Sequence, residues 1–196
     1  MARLDQVPAA EWPQAMKDML KPEHLTDLEQ GLMRYWARRP DLVSGLAAFS
    51  GGLKINRTLP ERLVELVRLR VAFFNQCRSC MAIRYTDAVN DGLTEDLVCS
   101  LERPQDAEDL SDAEKIAIRY GELMATDHLR IDDAVYEELR AHYTQEQIVE
   151  LGMIVAFFVG FGRLAATYHM VDELPDAFRE SDGEIAPWGN EAIQVR

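Results

Sequence analysis

The sequence has no second cysteine or histidine pair to set beside its one CxxC and no dense run of lysine and arginine. It also has no segment that alternates apolar and polar residues over strand length. Each absence narrows the field. A structural zinc takes four ligands, and Cys77 and Cys80 have only Cys99 and the scattered His24, His128, His142 and His169 to complete a shell, so no metal site is read. A formal net charge of -13, from 34 acidic against 21 basic residues, repels a phosphate backbone and argues against a nucleic-acid partner. The most apolar run, 151–161, falls short of the roughly 20 residues a spanning helix needs, so it reads as a buried helix and no membrane is expected. The N-terminal residues lack the basic, apolar and small-residue pattern of a secretory signal, which predicts a cytoplasmic protein. No nucleophile elbow, phosphate loop or dinucleotide fingerprint occurs, and no cofactor is expected.

What is present is helical punctuation. Thr26 with Glu29, Thr58 with Glu61, Ser111 with Glu114 and Thr144 with Gln147 have capping-box spacing, which predicts helix starts near 27, 59, 112 and 145. Loop signals are Arg39-Pro40, Gly51-Gly52, Asp91-Gly92 and Arg103-Pro104. With 47% hydrophobic and 28% charged residues over 196 positions, the chain reads as one all-α domain over residues 1–172, followed by an extended tail over 173–196. Trp188 is expected to pin that tail to its own or another subunit.

Leu59, Leu63, Leu66, Val67, Val71 and Phe74 follow helical spacing and turn one face of a helix toward a core. Asn75 and Gln76 interrupt it. A second helix is expected from Cys77 through Val89, ended by Asp91-Gly92, so that the cysteines sit at its N-terminus. The stretch 64–74 resembles 149–158 with one gap, and the likeness pairs Glu61 with Glu146 and Glu65 with Glu150. The chain thus reads as two diverged helix-turn-helix repeats, of which only the first carries cysteines.

A thiol at a helix N-terminus meets unpaired N–H groups and the positive end of the dipole, which favours the thiolate and makes sulfur a nucleophile. The two-residue spacing lets one cysteine attack an oxidised substrate and the other close a disulfide on it, which a reductant must then reopen. Arg84, four residues past Cys80, would lie one turn away and favour the thiolate further, but a guanidinium cannot serve as general base. Glu65, twelve residues before Cys77, can fold back in a helical hairpin as a proton acceptor or as a partner of Arg84. His169 reads as a structural or surface residue that the duplication would also let reach the site. Cys99 reads as core filler. An inert, buried CxxC stays open as the other reading of the pair.

The residues Arg38-Arg39-Pro40, the run 59–67 from Leu59-Pro60-Glu61, the Cys77-Arg78-Ser79-Cys80 motif, Ala88 and Gly92-Leu93-Thr94 resemble the carboxymuconolactone decarboxylase family, in its alkylhydroperoxidase AhpD-like branch. The likeness runs over about residues 30 to 172. It implies an all-helical fold, homo-oligomers of three or six subunits, and thiol-dependent reduction of a small peroxide-like substrate supported by a dithiol reductant. By position it implies Cys80 as the attacking thiolate, Cys77 as the resolving cysteine and Glu65 as the start of a proton relay. The sequence departs from the pattern at Arg84, where the peroxidases of the family carry a histidine, and at Ser79, a histidine in some. The alternatives are a decarboxylase of the family type that does not use the cysteines and a non-catalytic helical assembly protein.

Overall fold

The computed structural model describes residues 2–180 and 183–196. Its helices are α1 (Gln14–Leu20), α2 (Asp27–Gln30), α3 (Met33–Trp36), α4 (Pro40–Ile55), α5 (Glu61–Asn75), α6 (Arg78–Ala82), α7 (Thr86–Asn90), α8 (Glu95–Ser100), α9 (Asp112–Thr126), α10 (Asp133–Arg140), α11 (Gln145–Tyr168) and α12 (Asp176–Arg179). Two three-residue strands, β1 (Ile83–Tyr85) and β2 (Ile193–Val195), pair in parallel with Ile83 opposite Ile193. The all-α class read from the sequence holds.

Three of the four expected capping boxes form, at Thr26, Ser111 and Thr144, with α2, α9 and α11 beginning at the next residue. The fourth does not. Pro60 is the N-cap of α5, and the Thr58 hydroxyl and the N–H groups of Thr58 and Leu59 are taken by the Glu150 carboxylate on α11 instead. Glu150 therefore fixes the loop that leads into α5 from across the bundle.

α5 is the centre of the molecule, flanked by α9 and α11. Its buried residues, from Leu63 to Asn75, occupy nearly its whole circumference rather than the single face that its apolar spacing predicts. Gly121 brings α9 close, since a Cβ there would meet Val67 Cγ1 at 3.0 Å and Val71 Cγ2 at 3.3 Å. Cores packed this tightly feel a single methylene, so the α5–α9 seam is a rigid frame for whatever α5 carries.

Three expectations are corrected. The helix expected over 77–89 is broken: α6 stops at Ala82, the chain extends through β1, and α7 restarts at Thr86. The β-branched Ile83 faces Ile193, and this pairing ends the helix. The turn of the first repeat has no counterpart in the second, because α11 runs unbroken for 24 residues where α5 gives way to α6. α11 is by length and composition long enough to cross a membrane, and it buries Ile148, Leu151, Ile154, Val155 and Ala165 in this bundle. The third correction concerns the tail expected over 173–196, whose described residues 173–180 and 183–196 fold back instead of extending: Phe178 is fully buried with Met81 and Ala82, and the Trp188 ring lies 4.8 Å from that of Phe73. Trp188 thus pins the segment to its own chain.

Candidate active site

The cysteine turn is made by the end of α5. Gln76 takes the left-handed conformation at φ 49°, and the N–H of Cys77 donates to the Ala72 carbonyl. A non-glycine residue in that region is held there by its surroundings. The Gln76 side chain supplies the restraint: Nε2 donates to the carbonyls of Phe73 and Ile185 at 2.7 and 3.0 Å, while Oε1 accepts from the Ile185 N–H at 3.0 Å. The folded-back C-terminal segment therefore clasps the CxxC turn.

Cys77 and Cys80 are joined as a disulfide with their Cα atoms 5.2 Å apart. Their surroundings differ. Cys77 is sealed, with 0% exposure and Ser79 Oγ as its polar neighbour at 3.7 Å, whereas Cys80 is partly open and lines a cavity of about 290 Å³. A reagent arriving through that cavity meets Cys80. The helix dipole at the cysteines is weak, because α6 has only five residues and its aligned peptides are few.

The charge beside Cys80 comes from a residue the sequence reading passed over. Arg68 on α5 donates from Nη1 to the Cys80 carbonyl at 2.6 Å and from Nη2 to the Ile83 carbonyl at 3.0 Å. Its Nε and Nη2 also form a fork on the Glu65 carboxylate at 2.6 and 2.7 Å. Both side chains are buried, and the Tyr85 ring covers the guanidinium at 5.1 Å. Burial alone depresses a guanidinium, but the facing Glu65 charge and hydrogen bonds outweigh it and hold Arg68 above its ordinary value. A buried pair of this kind repays its desolvation only with good geometry and further hydrogen bonds, and Arg68 places four of its five N–H groups in the bonds above. The sequence did carry a signal: Arg68 lies three residues past Glu65, one helical turn away on α5.

Glu65 lies where it was expected, on the helix facing the CxxC, but its oxygens are occupied by Arg68 and by the Tyr85 N–H at 3.2 Å. It reaches Cys80 through Arg68. Arg84 is not brought to the cysteines. It sits on β1, 3% exposed, paired with Glu95 at 3.0 Å and donating to the carbonyls of Met81, Ile83 and Pro187. It shares no helical face with Cys80, because α6 ends two residues earlier at Ala82. His169 caps α11 in the left-handed region and lines a shallow depression with Arg78 and Ser79, which borders the cavity that Cys80 opens into through Ser79, Ala165 and Met170. Burial, then the Arg78 charge, lowers its imidazole pKa. Cys99 is exposed on α8 rather than filling the core. Among the described residues no group of three histidine, cysteine or carboxylate side chains is arranged to hold a metal ion.

Comparison with known proteins agrees with the fold. Residues 40–123 match the sequence model of the carboxymuconolactone decarboxylase family. The uncharacterized protein YdfG of Bacillus subtilis is 30% identical over 112 residues, covering 57% of this chain and 74% of YdfG. The uncharacterized protein YnjA of Escherichia coli is 24% identical over 144 residues, covering 73% and 77%. Among solved structures, a peroxidase-related protein from Ralstonia eutropha with an alkylhydroperoxidase AhpD core superposes with a TM-score of 0.68 at 19% identity, covering 90% of this chain and 94% of that one. A protein of unknown function from Agrobacterium tumefaciens superposes with a TM-score of 0.60 at 20% identity, covering 72% and 95%. The chain belongs to the carboxymuconolactone decarboxylase family and carries the AhpD-like form of its fold.

Proposed function

We propose that the protein is a thiol-dependent oxidoreductase that reduces a hydroperoxide at Cys80 and closes the Cys77–Cys80 disulfide in doing so. The observation that carries this reading is the asymmetry of the pair: one sulfur opens to a cavity and its bonding partner is sealed behind it. In the reduced protein the Cys80 thiolate attacks the distal peroxide oxygen, forming the S–O bond of a sulfenic acid while the O–O bond breaks; the departing alkoxide takes a proton and leaves as alcohol. The Cys77 sulfur then attacks that of Cys80, water leaves and the disulfide forms; an external dithiol returns both thiols by exchange and leaves oxidised. The reading assigns Arg68 to favour the thiolate and Glu65 to hold Arg68 in place. In the cytoplasm a dithiol reductant keeps the cycle running.

The deciding experiment is consumption of an organic hydroperoxide by the full chain with a dithiol reductant present. Cys80→Ser is expected to abolish it and Cys99→Ser to leave it intact. Equal turnover by wild type and Cys80→Ser would end the reading.

The same reading includes self-association. α4 has no charged side chain between Asp41 and Lys54, and α11 none between Glu150 and Arg163. Their outer faces leave Leu42, Phe49, Val149 and Met153 between 41% and 61% exposed. An apolar, charge-free face of this extent marks an association site, and on a chain of net charge -13 it is where two copies meet with least repulsion.

A further inference from the structure

Cys77 is wholly buried, yet a cysteine must shed its proton to attack, because only the thiolate is a nucleophile. Burial disfavours a free anion, so proton loss and attack on Cys80 have to run together. The charged groups of the site are not placed to take that proton. The Glu65 oxygens are held by the Arg68 fork and the Tyr85 N–H, a guanidinium has only donors, and Arg84 is paired with Glu95. Ser79 is differently placed. Its Oγ lies 3.7 Å from the Cys77 sulfur, within the range of a hydrogen bond to sulfur, and either atom can be the donor. The same residue lines two spaces at once: the depression it shares with Gln76, Arg78 and His169, and the cavity into which Cys80 opens. One hydroxyl thus stands between a sealed sulfur and both openings beside it.

We propose that Ser79 is a catalytic proton carrier for Cys77: its hydroxyl accepts the thiol proton while giving its own to water in the adjoining space. A serine hydroxyl has one donor hydrogen and two acceptor lone pairs, and it rotates, so it can do both. The inference rests on the reading above for the closing of the disulfide, and deepens it by naming the group that lets the sealed half act. In that step the S–H bond of Cys77 breaks, and its proton moves to Ser79 Oγ as the serine hydrogen moves to water. The electron pair left on sulfur forms the bond to Cys80, and the group carried by Cys80 departs with the pair of its own bond. After oxidation by a hydroperoxide that group is hydroxide, which takes up a proton and leaves as water.

The test closes the disulfide without any peroxide. The full chain carrying Cys99→Ser is reduced and mixed with dithiodipyridine, which forms a mixed disulfide at Cys80 and releases one thiopyridone; Cys77 then expels a second. Absorbance separates the two releases, and the second does not depend on reagent concentration. Ser79→Ala is expected to slow the second release about a hundredfold, as loss of a positioned proton-transfer group does, and to leave the first at the wild-type rate. Ser79→Thr, which keeps a hydroxyl, is expected to restore the second release. The inference is overturned if the second release in Ser79→Ala matches wild type, if both releases slow together, or if Ser79→Thr is no faster than Ser79→Ala. With an organic hydroperoxide in place of dithiodipyridine, Ser79→Ala should hold Cys80 as a sulfenic acid long enough for dimedone to trap it. If the hydroperoxide oxidises neither protein while dithiodipyridine gives the expected rates, the peroxidase reading fails and the Ser79 assignment stands. If wild type and Ser79→Ala both consume hydroperoxide and close the disulfide equally fast, the assignment fails and the peroxidase reading stands.

Discussion

The Arg68 guanidinium donates to the carbonyl oxygen of Cys80 at 2.6 Å, so a charge on the central helix is tied directly to the backbone of the CxxC turn. Through the same side chain Glu65 reaches that turn without touching it. The backbone of the CxxC turn is therefore anchored to one buried ion pair.

Removing half of that pair is expected to be costly. Arg68→Met leaves Glu65 buried and unpaired, with an expected loss of about 3–5 kcal/mol, while the double variant Arg68→Met with Glu65→Gln loses less because no bare charge remains. In the double variant the pH profile of Cys80 alkylation by iodoacetamide should move upward, since a nearby cation favours thiolate. An unmoved profile would show that Arg68 only holds the fold.

Arg84 serves the C-terminal segment. Arg84→Gln removes its bonds to the buried carbonyls of Met81 and Pro187 and its pair with Glu95. The expected loss is about 2–3 kcal/mol by denaturant unfolding, with the alkylation profile of Cys80 unchanged. A shifted profile with native stability would restore Arg84 to the site.

Resolution should depend on Cys77. In Cys77→Ser the first equivalent of hydroperoxide is expected to be consumed and then turnover to stop, leaving Cys80 as a sulfenic acid that dimedone traps. Sustained turnover in that variant would mean that another thiol resolves the intermediate.

Acid should release the last strand. The Arg196 side chain, followed by the backbone N–H groups of Thr26 and Arg196, holds the Glu29 carboxyl down at about 2, from an ordinary 4.5. A carboxylate lowered in the folded state stabilises it fully above its unfolded value, and that contribution disappears as pH falls through the folded value. The amide resonances of Ile193–Val195 should therefore keep native positions at pH 5 and drift between about 4.5 and 2. In Glu29→Gln that drift should be absent.

The apolar outer face of α11 should control assembly. Met153→Lys places a charge there and is expected to reduce the molecular mass measured by light scattering to that of a single chain. An unchanged mass would remove the proposed face from the interface.

Local signals were legible in the sequence because they act over three or four residues. Thr26, Ser111 and Thr144 announced their helices through side chains that reach only one turn. Thr58 misled, since its hydroxyl is claimed from α11 by Glu150, a long-range contact that spacing cannot reveal. The Glu65-to-Cys77 spacing was a sound guide to which helix faces the CxxC, because α5 and the turn after it are continuous in sequence.

Helical class, the position of the dithiol after α5 and the nearness of Glu65 to it follow from residue order alone, through backbone periodicity and capping. Which arginine stands at Cys80, which sulfur opens to the cavity and where 173–196 goes were decided only by the folded chain. The reason is the pairing of Ile83–Tyr85 with Ile193–Val195: hydrogen bonds between distant segments end α6, carry Arg84 away and leave Arg68 as the cation beside the turn.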